Sequence, residues 1–366
     1  MLIWIFGTIT CIYAFIVFAA IYGWKLPKTH SIHQKLPYIS VIIAVRNEEE
    51  YITQTLQYLK TQDYPHHLFE VIIINDHSED ATKIILEHEC ADVSNFHVFN
   101  APETCTGKKQ ALAFAQNLAK GEYILFTDGD CTMNNKWIST FAAHIPENKS
   151  CFLFGPVDHI HEKRMIEQFF TLDFLSIVSM QGGLANLNHS FSCNAANMLI
   201  SKGLISSSKN EKFASGDDVF VLHATKKDSE NHIQFIQNRN ALVYTHAPKN
   251  IYDFIQQRIR WSSKSTGYKD FDSLFIANSV YLENASIFGA FIISILYIQF
   301  LPIAIFLLCA KTIIDGMFFY TTLPFFNKQR LLLLSIPFQI LYFIYITLIP
   351  IFALIQPLNW KGRRIS

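Results

Sequence analysis

The sequence predicts an α/β domain with a mainly parallel sheet flanked by helices, joined to transmembrane helices on its N-terminal and C-terminal sides. Three observations lead to this fold class. Short apolar runs alternate with helical patterns between residues 36 and 270. Uncharged apolar stretches of membrane-spanning length stand before and after that region. Hydrophobic residues make up 50% of the chain and the mean hydropathy is +0.20, which is too apolar for an ordinary soluble protein.

Composition and charge exclude several classes of function. The 366 residues carry a formal net charge of zero and form no basic stripe with interleaved aromatic residues, so we expect no nucleic acid partner. The seven cysteines are scattered without a C-x-x-C pair, which argues against a disulfide framework and a structural zinc site. We predict an N-terminal transmembrane anchor over 1–24, a cytoplasmic domain over 36–270 and a C-terminal transmembrane region over 283–358.

The N-terminal apolar stretch, residues 2–24, is interpreted as an uncleaved anchor. No basic segment precedes it and its apolar core is too long for a signal peptide. Lys25, Lys28 and Lys35 follow it, and this positive charge predicts that the next domain lies in the cytoplasm. The prediction is therefore a multi-pass protein of the inner, cytoplasmic membrane, with membrane lipids among its partners.

The C-terminal region contains two or three spans. Residues 285–310 and 331–355 are each uncharged and long enough to cross a bilayer. The segment 312–326 between them is short and contains Asp315 and Pro324, so a third span, a re-entrant hairpin and an interfacial segment remain open.

Four strands are predicted in the first half of the domain, at 38–45, 71–74, 96–99 and 123–126. Helical patterns separate them, and Ser78 is a candidate N-cap for the helix after the second strand. Such alternation predicts right-handed βαβ units, in which ligands bind outside the carboxyl ends of the strands. Polar residues stand at those ends: Glu48, Asp76, Asp128 and Asp130.

Asp128-Gly129-Asp130 directly follows the fourth predicted strand. Two carboxylates so spaced can hold a divalent cation between themselves and a diphosphate, and hard oxygen ligands suit Mg²⁺ or Mn²⁺. Alone, the tripeptide is also an ordinary turn sequence. Its position beside the other polar strand ends favours the metal site.

Later stretches carry weaker signals. Residues 162–181 form an aromatic-rich helical stretch, and 192–200, which includes Asn197, resembles a strand. Asp217 and Asp218 open a predicted helix, where acidic residues also serve as simple caps. A further helix is predicted from near Ile251.

Residues 257–261 lie on that last helix, and Arg258 and Trp261 share one of its faces. Two interpretations remain open for this face. It is either a cationic clamp on a diphosphate or a basic interfacial helix against lipid headgroups.

Taken together, these motifs resemble the family 2 glycosyltransferases with membrane spans, the group that includes cellulose, chitin and hyaluronan synthases. The resemblance covers about residues 38–264 and rests on six short motifs in the family's order. The motifs are 41–48 (VIIAVRNE), 75–80 (NDHSED), 107–112 (GKKQAL), 128–130 (DGD), 216–218 (GDD) and 257–261 (QRIRW). The resemblance implies a GT-A fold, which is a nucleotide-diphospho-sugar transferase domain.

The resemblance also implies roles for residues. Asp76 contacts the nucleotide base, with Glu48 nearby and Lys108 close to the nucleotide. Asp128 and Asp130 bind the metal, Mg²⁺ or Mn²⁺, with Asp128 also on the donor diphosphate. Asp218 is the catalytic base, and Asp217 and Asn197 are acceptor-side candidates. Gln257, Arg258, Arg260 and Trp261 bind the donor diphosphate and the acceptor sugar.

Some features depart from the family or have a simpler explanation. The family often has two acidic residues where this chain has Asn75-Asp76, and Glu-Asp where it has Asp217-Asp218; both departures keep the second aspartate. Trp261 is alternatively a membrane-interface aromatic, and Asn197 alternatively satisfies backbone groups.

The implied function is inverting, metal-dependent transfer of a sugar from a nucleotide-diphospho-sugar to a lipid-linked or cell-envelope glycan acceptor. A UDP-sugar is the favoured donor, and the reaction takes place at the cytoplasmic face of the membrane. Two alternatives stay open: a processive polysaccharide synthase, and a membrane scaffold that binds a nucleotide sugar without turnover. Nucleotidyl transfer ranks below these, because it gives no reason for the two late motifs.

Overall fold

The computed structural model describes residues 2–26, 36–105, 107–160, 162–205, 217–355, 358–360 and 363–365. The chain divides into two compact units. The sheet unit comprises Pro27–His161 and Ser192–His246, and the helical unit comprises Met1–Leu26, Glu162–Phe191 and Ala247–Ser366.

The strands are short and number twelve in the described part of the chain. They are β1 (Ile39–Val45), β2 (Phe69–Asn75), β3 (Phe96–Asn100), β4 (Tyr123–Phe126), β5 (Thr132–Met133), β6 (Cys151–Phe154), β7 (Val157–Ile160), β8 (Met198–Ser201), β9 (His232–Phe235), β10 (Val243–His246), β11 (Leu358–Trp360) and β12 (Arg363–Ile365).

The α-helices range from single turns to membrane-spanning length. They are α1 (Leu2–Lys25), α2 (Ile52–Lys60), α3 (Thr82–Cys90), α4 (Lys108–Leu118), α5 (Trp137–Ala142), α6 (Met165–Ala185), α7 (Lys202–Ile205), α8 (Asp217–Thr225), α9 (Ile251–Lys264), α10 (Phe271–Leu296), α11 (Leu301–Thr322) and α12 (Ser335–Ile355).

The main sheet of the sheet unit has seven strands in the order β3-β2-β1-β4-β8-β6-β9. Strand β1 is parallel to β2 and β4, and β2 is parallel to β3, whereas β8 is antiparallel to β4 and β6. Nearly all of β1 is buried, as expected for an apolar, β-branched strand covered on both faces. The predicted α/β fold is confirmed.

A second sheet in the same unit has three strands in the order β5-β10-β7. Strand β10 is antiparallel to β5 and parallel to β7. These strands have only two to four residues, which is too short for a clear alternating pattern, and the sequence did not predict them.

The predicted N-cap of α3 is wrong. The helix begins at Thr82, whose backbone N–H donates to Oδ1 of Asp80 at 3.0 Å. The Ser78 hydroxyl instead accepts a hydrogen bond from the backbone N–H of Asn47 at 3.1 Å. Ser78 therefore connects the two loops that follow β1 and β2.

Among its described residues, the helical unit contains four helices long and apolar enough to cross a membrane: Ile3–Lys25, Phe271–Leu296, Ile298–Phe326 and Ser335–Ile355. The predicted boundaries of the span at 285–310 are wrong, because α10 ends at Leu296 and α11 begins at Leu301. Pro302 lies in the first turn of α11, where backbone N–H groups have no acceptor within the helix, so its missing N–H loses no hydrogen bond. Inside a continuous helix over 285–310, the same proline would remove a backbone hydrogen bond. Residues 312–326 therefore continue the helix that begins at Leu301, with a short 3₁₀ end, as one candidate span.

Buried polar groups join three of these helices. Nζ of Lys311 donates to Oδ2 of Asp315 at 2.5 Å and to Oε1 of Gln339 at 2.8 Å. The hydroxyl of Tyr13 donates to Oδ1 of Asp315 at 2.5 Å. Charged side chains inside spanning helices are normally paired in this way, so the charges do not argue against α11 as a span.

Candidate active site

The carboxyl ends of β1, β2 and β4 meet at one edge of the main sheet. The backbone N–H of Asp76, just after β2, donates to the carbonyl oxygen of Val45 at 2.8 Å. Glu48 follows β1 and Asp128 follows β4, which is the strand on the other side of β1. The sequence prediction that these residues share an edge agrees with this register.

Asp76 is almost fully buried. Its Oδ1 accepts from the backbone N–H of Gly107 at 3.4 Å and lies 3.1 Å from Nδ1 of His77. Arg46 holds the loop in place by donating to the backbone oxygens of Asp76 and His77 at 3.0 and 2.5 Å. The loop that begins at Asp76 is therefore ordered by a buried cation before any ligand binds.

Gly129, between the two aspartates, lies against the end of β1. A Cβ at this position would stand 2.7 Å from Cγ1 of Val45 and 3.3 Å from Cγ of Glu48, so a larger residue would force this contact apart. The Thr55 hydroxyl of α2 donates to the Gly129 carbonyl oxygen at 2.9 Å. The turn is thus fixed on two sides, with Asp128 and Asp130 left partly exposed.

Lys108, in the first turn of α4, donates to Oδ1 of Asp128 at 2.5 Å. Burial lowers the pKa of Lys108, but the charge and hydrogen bond of Asp128 outweigh burial and raise the pKa above its ordinary value. Lys108 therefore stays cationic at neutral pH beside the first carboxylate of the pair.

Asp130 is oriented by the second sheet. The Thr245 hydroxyl, on β10, donates to its Oδ2 at 3.0 Å. The thiol of the neighbouring Cys131 donates to its Oδ1 at 3.8 Å. Burial, together with the charges of Asp130 and Asp128, raises the pKa of Cys131 well above its ordinary value, so Cys131 remains a neutral thiol.

The donor set fits a hard divalent cation. Asp128 and Asp130 supply carboxylate oxygens, and no group of three or more His, Cys, Asp or Glu residues forms a metal cage within the described residues. Mg²⁺ usually takes one or two protein carboxylates, several waters and substrate phosphates rather than a complete protein cage. Two carboxylates at an open strand end match that requirement.

Asp218 is partly exposed in the first turn of α8, and its Oδ2 accepts from the backbone N–H of Ala195 at 3.2 Å. Ala195 lies just before β8, and the antiparallel register pairs Met198 with Phe126 at the end of β4. The chain that enters β8 and the chain that leaves β4 toward Asp128 therefore lie at the same sheet edge. The predicted helix is present through Asp218, whereas its opening residues Ser215 and Gly216 and the Asp217 side chain lie outside the described residues.

Asn197 is fully buried and its amide is engaged within the fold. Its Oδ1 accepts from Nε1 of Trp137 at 2.9 Å, and its Nδ2 donates to the carbonyl oxygens of Pro156 and Ala241, both at 2.7 Å. These bonds support the alternative in which Asn197 satisfies buried polar groups, and they leave it no free amide group for an acceptor.

The motif at 257–261 lies on α9 in the helical unit. Gln257, Arg260 and Trp261 are partly exposed, but Arg258 is buried. All three guanidinium nitrogens of Arg258 donate within the unit, two of them to Asp173 on α6 and one to Gln257. Arg258 is therefore engaged within the helical unit, and its role as a clamp on a diphosphate stays a prediction. The predicted shared face with Trp261 is present, with the guanidinium carbon 4.3 Å from the centre of the indole ring.

Sequence reasoning missed several residues that orient the site. Thr245, Thr55 and Asp173 belong to no motif, and each meets its partner only through a long-range contact. For Asp173 the sequence offers one signal of a buried partner, because an aspartate stands within the aromatic-rich helical stretch 162–181.

The fold is that of GT-A sugar transferases. It matches the mannosyltransferase PcManGT from Pyrobaculum calidifontis, solved in complex with GDP-Man and Mn²⁺, with a TM-score of 0.57 over 96% of this chain and 99% of that chain at 17% sequence identity. Residues 40–196 match the Glycosyl transferase family 2. The match includes four of the six motifs and agrees with the family that these motifs predicted.

Named relatives match parts of the chain. The poly(ribitol-phosphate) beta-N-acetylglucosaminyltransferase TarS of Staphylococcus aureus is 31% identical over 131 residues, which are 36% of this chain and 23% of TarS. The probable glycosyltransferase YdaM of Bacillus subtilis is 25% identical over 248 residues, which are 65% of this chain and 57% of YdaM. The chain thus spans from about a quarter to somewhat more than half the length of these relatives.

Proposed function

We propose that the chain is an inverting, metal-dependent glycosyltransferase that uses a nucleotide-diphospho-sugar, with a UDP-sugar as the favoured donor. The acceptor is a lipid-linked or cell-envelope glycan at the cytoplasmic membrane face. One observation carries this proposal: Asp128 and Asp130, within the family 2 match over residues 40–196, share one edge of the main sheet with Asp218.

The donor site lies at the carboxyl ends of the parallel strands, where ligands of such sheets bind. Asp76 and Glu48 flank the nucleotide, and Lys108 supplies positive charge for the diphosphate. Arg46 and Thr55 support this role because they hold the loop at Asp76 and the turn at Gly129 in place. A site ordered in advance loses less entropy when it binds its donor.

Asp130 and Asp128 would hold Mg²⁺ or Mn²⁺. This assignment is supported by PcManGT, a protein of the same fold that binds Mn²⁺ together with GDP-Man. A bound divalent cation supplies neutralisation of the charge that develops on the leaving diphosphate. Thr245 orients Asp130 for that role, and Lys108 adds a second cation beside Asp128.

Asp218 is the proposed general base. Its carboxylate takes the proton of an acceptor hydroxyl, whose oxygen forms a bond to the anomeric carbon of the donor sugar. The bond from that carbon to the diphosphate oxygen breaks, and its electron pair leaves with the nucleoside diphosphate. Attack from the side opposite to the leaving group inverts the anomeric configuration, and no covalent enzyme intermediate is needed.

Gln257, Arg260 and Trp261 keep the roles that the resemblance implies, which are contacts to the donor diphosphate and the acceptor sugar. Asp217 is a further acceptor-side candidate. With Arg258 engaged by Asp173, we assign the cationic contact of this motif to Arg260. The membrane setting supports a lipid-linked or envelope acceptor, because α9 packs against α12, one of the candidate spans.

The cytoplasmic orientation is also part of the proposal. Trp24 packs on Phe326, and Lys328 and Arg330 both donate to Glu162 at 2.7 and 2.5 Å. The basic connection between α11 and α12 therefore lies at the same end of the helical unit as the C-terminal end of α1. Positive charge gathered at one end of spanning helices favours the cytoplasmic side for that end.

The test is a panel of UDP- and GDP-sugars assayed for nucleoside diphosphate release by the full chain in detergent micelles. We expect release with one donor, loss of release with EDTA, and recovery with Mn²⁺ or Mg²⁺. Asp218→Asn should lower the rate by about 10²-fold or more, within the range assigned to general base catalysis. The exposed Asp228→Asn variant is the matched control. Full activity of Asp218→Asn would remove the base assignment, and metal-independent release would remove the metal role.

A further inference from the structure

Arg258 and Asp173 form a buried ion pair between α9 and α6. Nε of Arg258 donates to Oδ2 of Asp173 at 2.7 Å, and Nη2 donates to the same oxygen. The two side chains are only 6% and 3% exposed, respectively. Water therefore does little to screen or replace this interaction.

Tyr345 brings a third helix to the same carboxylate. Its hydroxyl, on the candidate span α12, donates to Oδ1 of Asp173. Both oxygens of Asp173 are thereby engaged, one by α9 and the other by α12. We call the three residues Asp173, Arg258 and Tyr345 the latch.

The latch reaches the acceptor motif through Arg258. Its Nη1 donates to Oε1 of Gln257 at 2.7 Å. Its guanidinium carbon lies 4.3 Å from the centre of the Trp261 ring and 4.5 Å from that of Phe254, in the range of cation–π contacts. The position of one guanidinium therefore sets the side chains of both Gln257 and Trp261.

Stability alone does not explain the presence of a buried ion pair between Arg258 and Asp173. Well-packed apolar side chains often replace a buried ion pair with no loss of stability, because desolvation of the two charges offsets their attraction. A buried pair does fix the positions of the groups around it. Here those groups include Gln257 and Trp261, which are assigned contacts to the acceptor sugar.

We propose that Asp173 and Tyr345 are positioning residues of the transferase, which hold Arg258 so that Gln257 and Trp261 present a fixed surface to the acceptor. Through Tyr345, this surface is connected to α12, a candidate membrane span. This inference rests on the proposed function for the roles of Gln257 and Trp261, but the positioning itself is measurable without turnover.

The first experiment is ¹⁹F NMR of the full chain labelled with 5-fluorotryptophan in detergent micelles. The chain has five tryptophans, and the Trp261 resonance is assigned from its loss in Trp261→Phe. We expect Tyr345→Phe and Asp173→Asn to shift or broaden the Trp261 resonance and to leave that of Trp137, in the sheet unit, unchanged. An unchanged Trp261 resonance in Tyr345→Phe would overturn the proposal.

Tyr342→Phe is the matched control. Tyr342 is buried on the same helix, and its hydroxyl has no hydrogen-bond partner among the described residues, so the change removes no bond. Because Tyr345→Phe removes a hydroxyl and no charge, it keeps the test decisive even if Asp173→Asn fails to fold. A shift of the Trp261 resonance in Tyr342→Phe equal to that in Tyr345→Phe would also overturn the proposal.

The second experiment compares two rates with the active donor in membranes that contain the chain. One is hydrolysis of the nucleotide sugar by water, and the other is transfer of radiolabelled sugar into organic-extractable lipid. Tyr345→Phe should lower transfer about tenfold more than hydrolysis, within the ~10²-fold that a 1 Å misplacement can cost. Equal loss of both rates would indicate a general structural role and overturn the proposal. Absence of both rates in the wild-type chain, with the NMR shift present, would count against the proposed function and in favour of the latch.

Discussion

The ammonium nitrogen of Lys108 lies 2.5 Å from Oδ1 of Asp128, which joins the first turn of α4 to the first carboxylate of the Asp-x-Asp pair. In the absence of a donor, this pair keeps two opposite charges side by side. A bound diphosphate would give Lys108 a second anionic partner. The predictions below test this contact and the contacts that support the site.

Lys108→Met should raise the KM for the nucleotide sugar about tenfold, the size of effect expected for losing one charge-assisted hydrogen bond of roughly 1.5 kcal/mol. Because the pKa of Lys108 is raised, donor affinity of the wild-type chain should not fall between pH 7 and about 9 through loss of its proton. Initial rates at varied donor concentration measure both effects. The exposed Lys136→Met is the control; equal KM values for the two variants would contradict the assignment.

Thr245→Val should weaken activation by Mn²⁺ about tenfold, because residues that orient metal ligands typically contribute this much to metal affinity. The variant removes the hydroxyl that donates to Oδ2 of Asp130 and keeps the size of the side chain. A titration of nucleoside diphosphate release against Mn²⁺ measures it. The Thr225 hydroxyl donates within its own helix, to the carbonyl oxygen of Val221, so Thr225→Val should leave the titration unchanged.

Gly129→Ala should lower kcat/KM by at least about tenfold, on the order of 1.4 kcal/mol in transition-state free energy. The added Cβ would approach Cγ1 of Val45 to 2.7 Å, so the turn that carries Asp128 and Asp130 must move. Gly203, on α7 with open space at its Cβ position, provides Gly203→Ala as a control. Wild-type rates for Gly129→Ala, with unchanged thermal stability, would show that the turn tolerates the shift.

Glu162→Gln should destabilise the helical unit, by roughly 1–3 kcal/mol for a buried charged group left without its partner. Burial raises the pKa of Glu162, but the hydrogen bonds from Lys328 and Arg330 outweigh burial and lower the pKa below its ordinary value. The stabilisation is therefore complete above the unfolded-state pKa of about 4.3 and is lost as pH falls through the lower folded-state pKa. The difference in melting temperature between wild type and variant should be largest at neutral pH and shrink at acidic pH. The exposed Glu103→Gln variant should have the melting temperature of the wild type at each pH. A difference in melting temperature between wild type and Glu162→Gln that does not depend on pH would contradict the ion-pair account.

Much of the sheet unit was predictable because the relevant signals are local. The apolar, β-branched run of β1 and the apolar run at 123–126 encode buried strands, and Asp128 and Asp130 follow directly in sequence. The start of α9 at Ile251 was also predicted, with Asn250 capping it through a hydrogen bond from the Asp253 backbone N–H. In these places, residues close in sequence set both the backbone conformation and the burial.

By itself, the sequence determined the α/β class, the polar strand ends, the order of the six motifs and the presence of long apolar helices. Only the tertiary structure decided that Thr245 orients Asp130 across 115 residues, that Asp173 pairs with Arg258 across 85, and that Tyr345 joins Asp173 across 172. Local patterns constrain backbone dihedral angles and burial, whereas the partner of a charged side chain is chosen among groups that meet only after the chain has folded. Arg258 could therefore be recognised as part of a motif, but its partner could not.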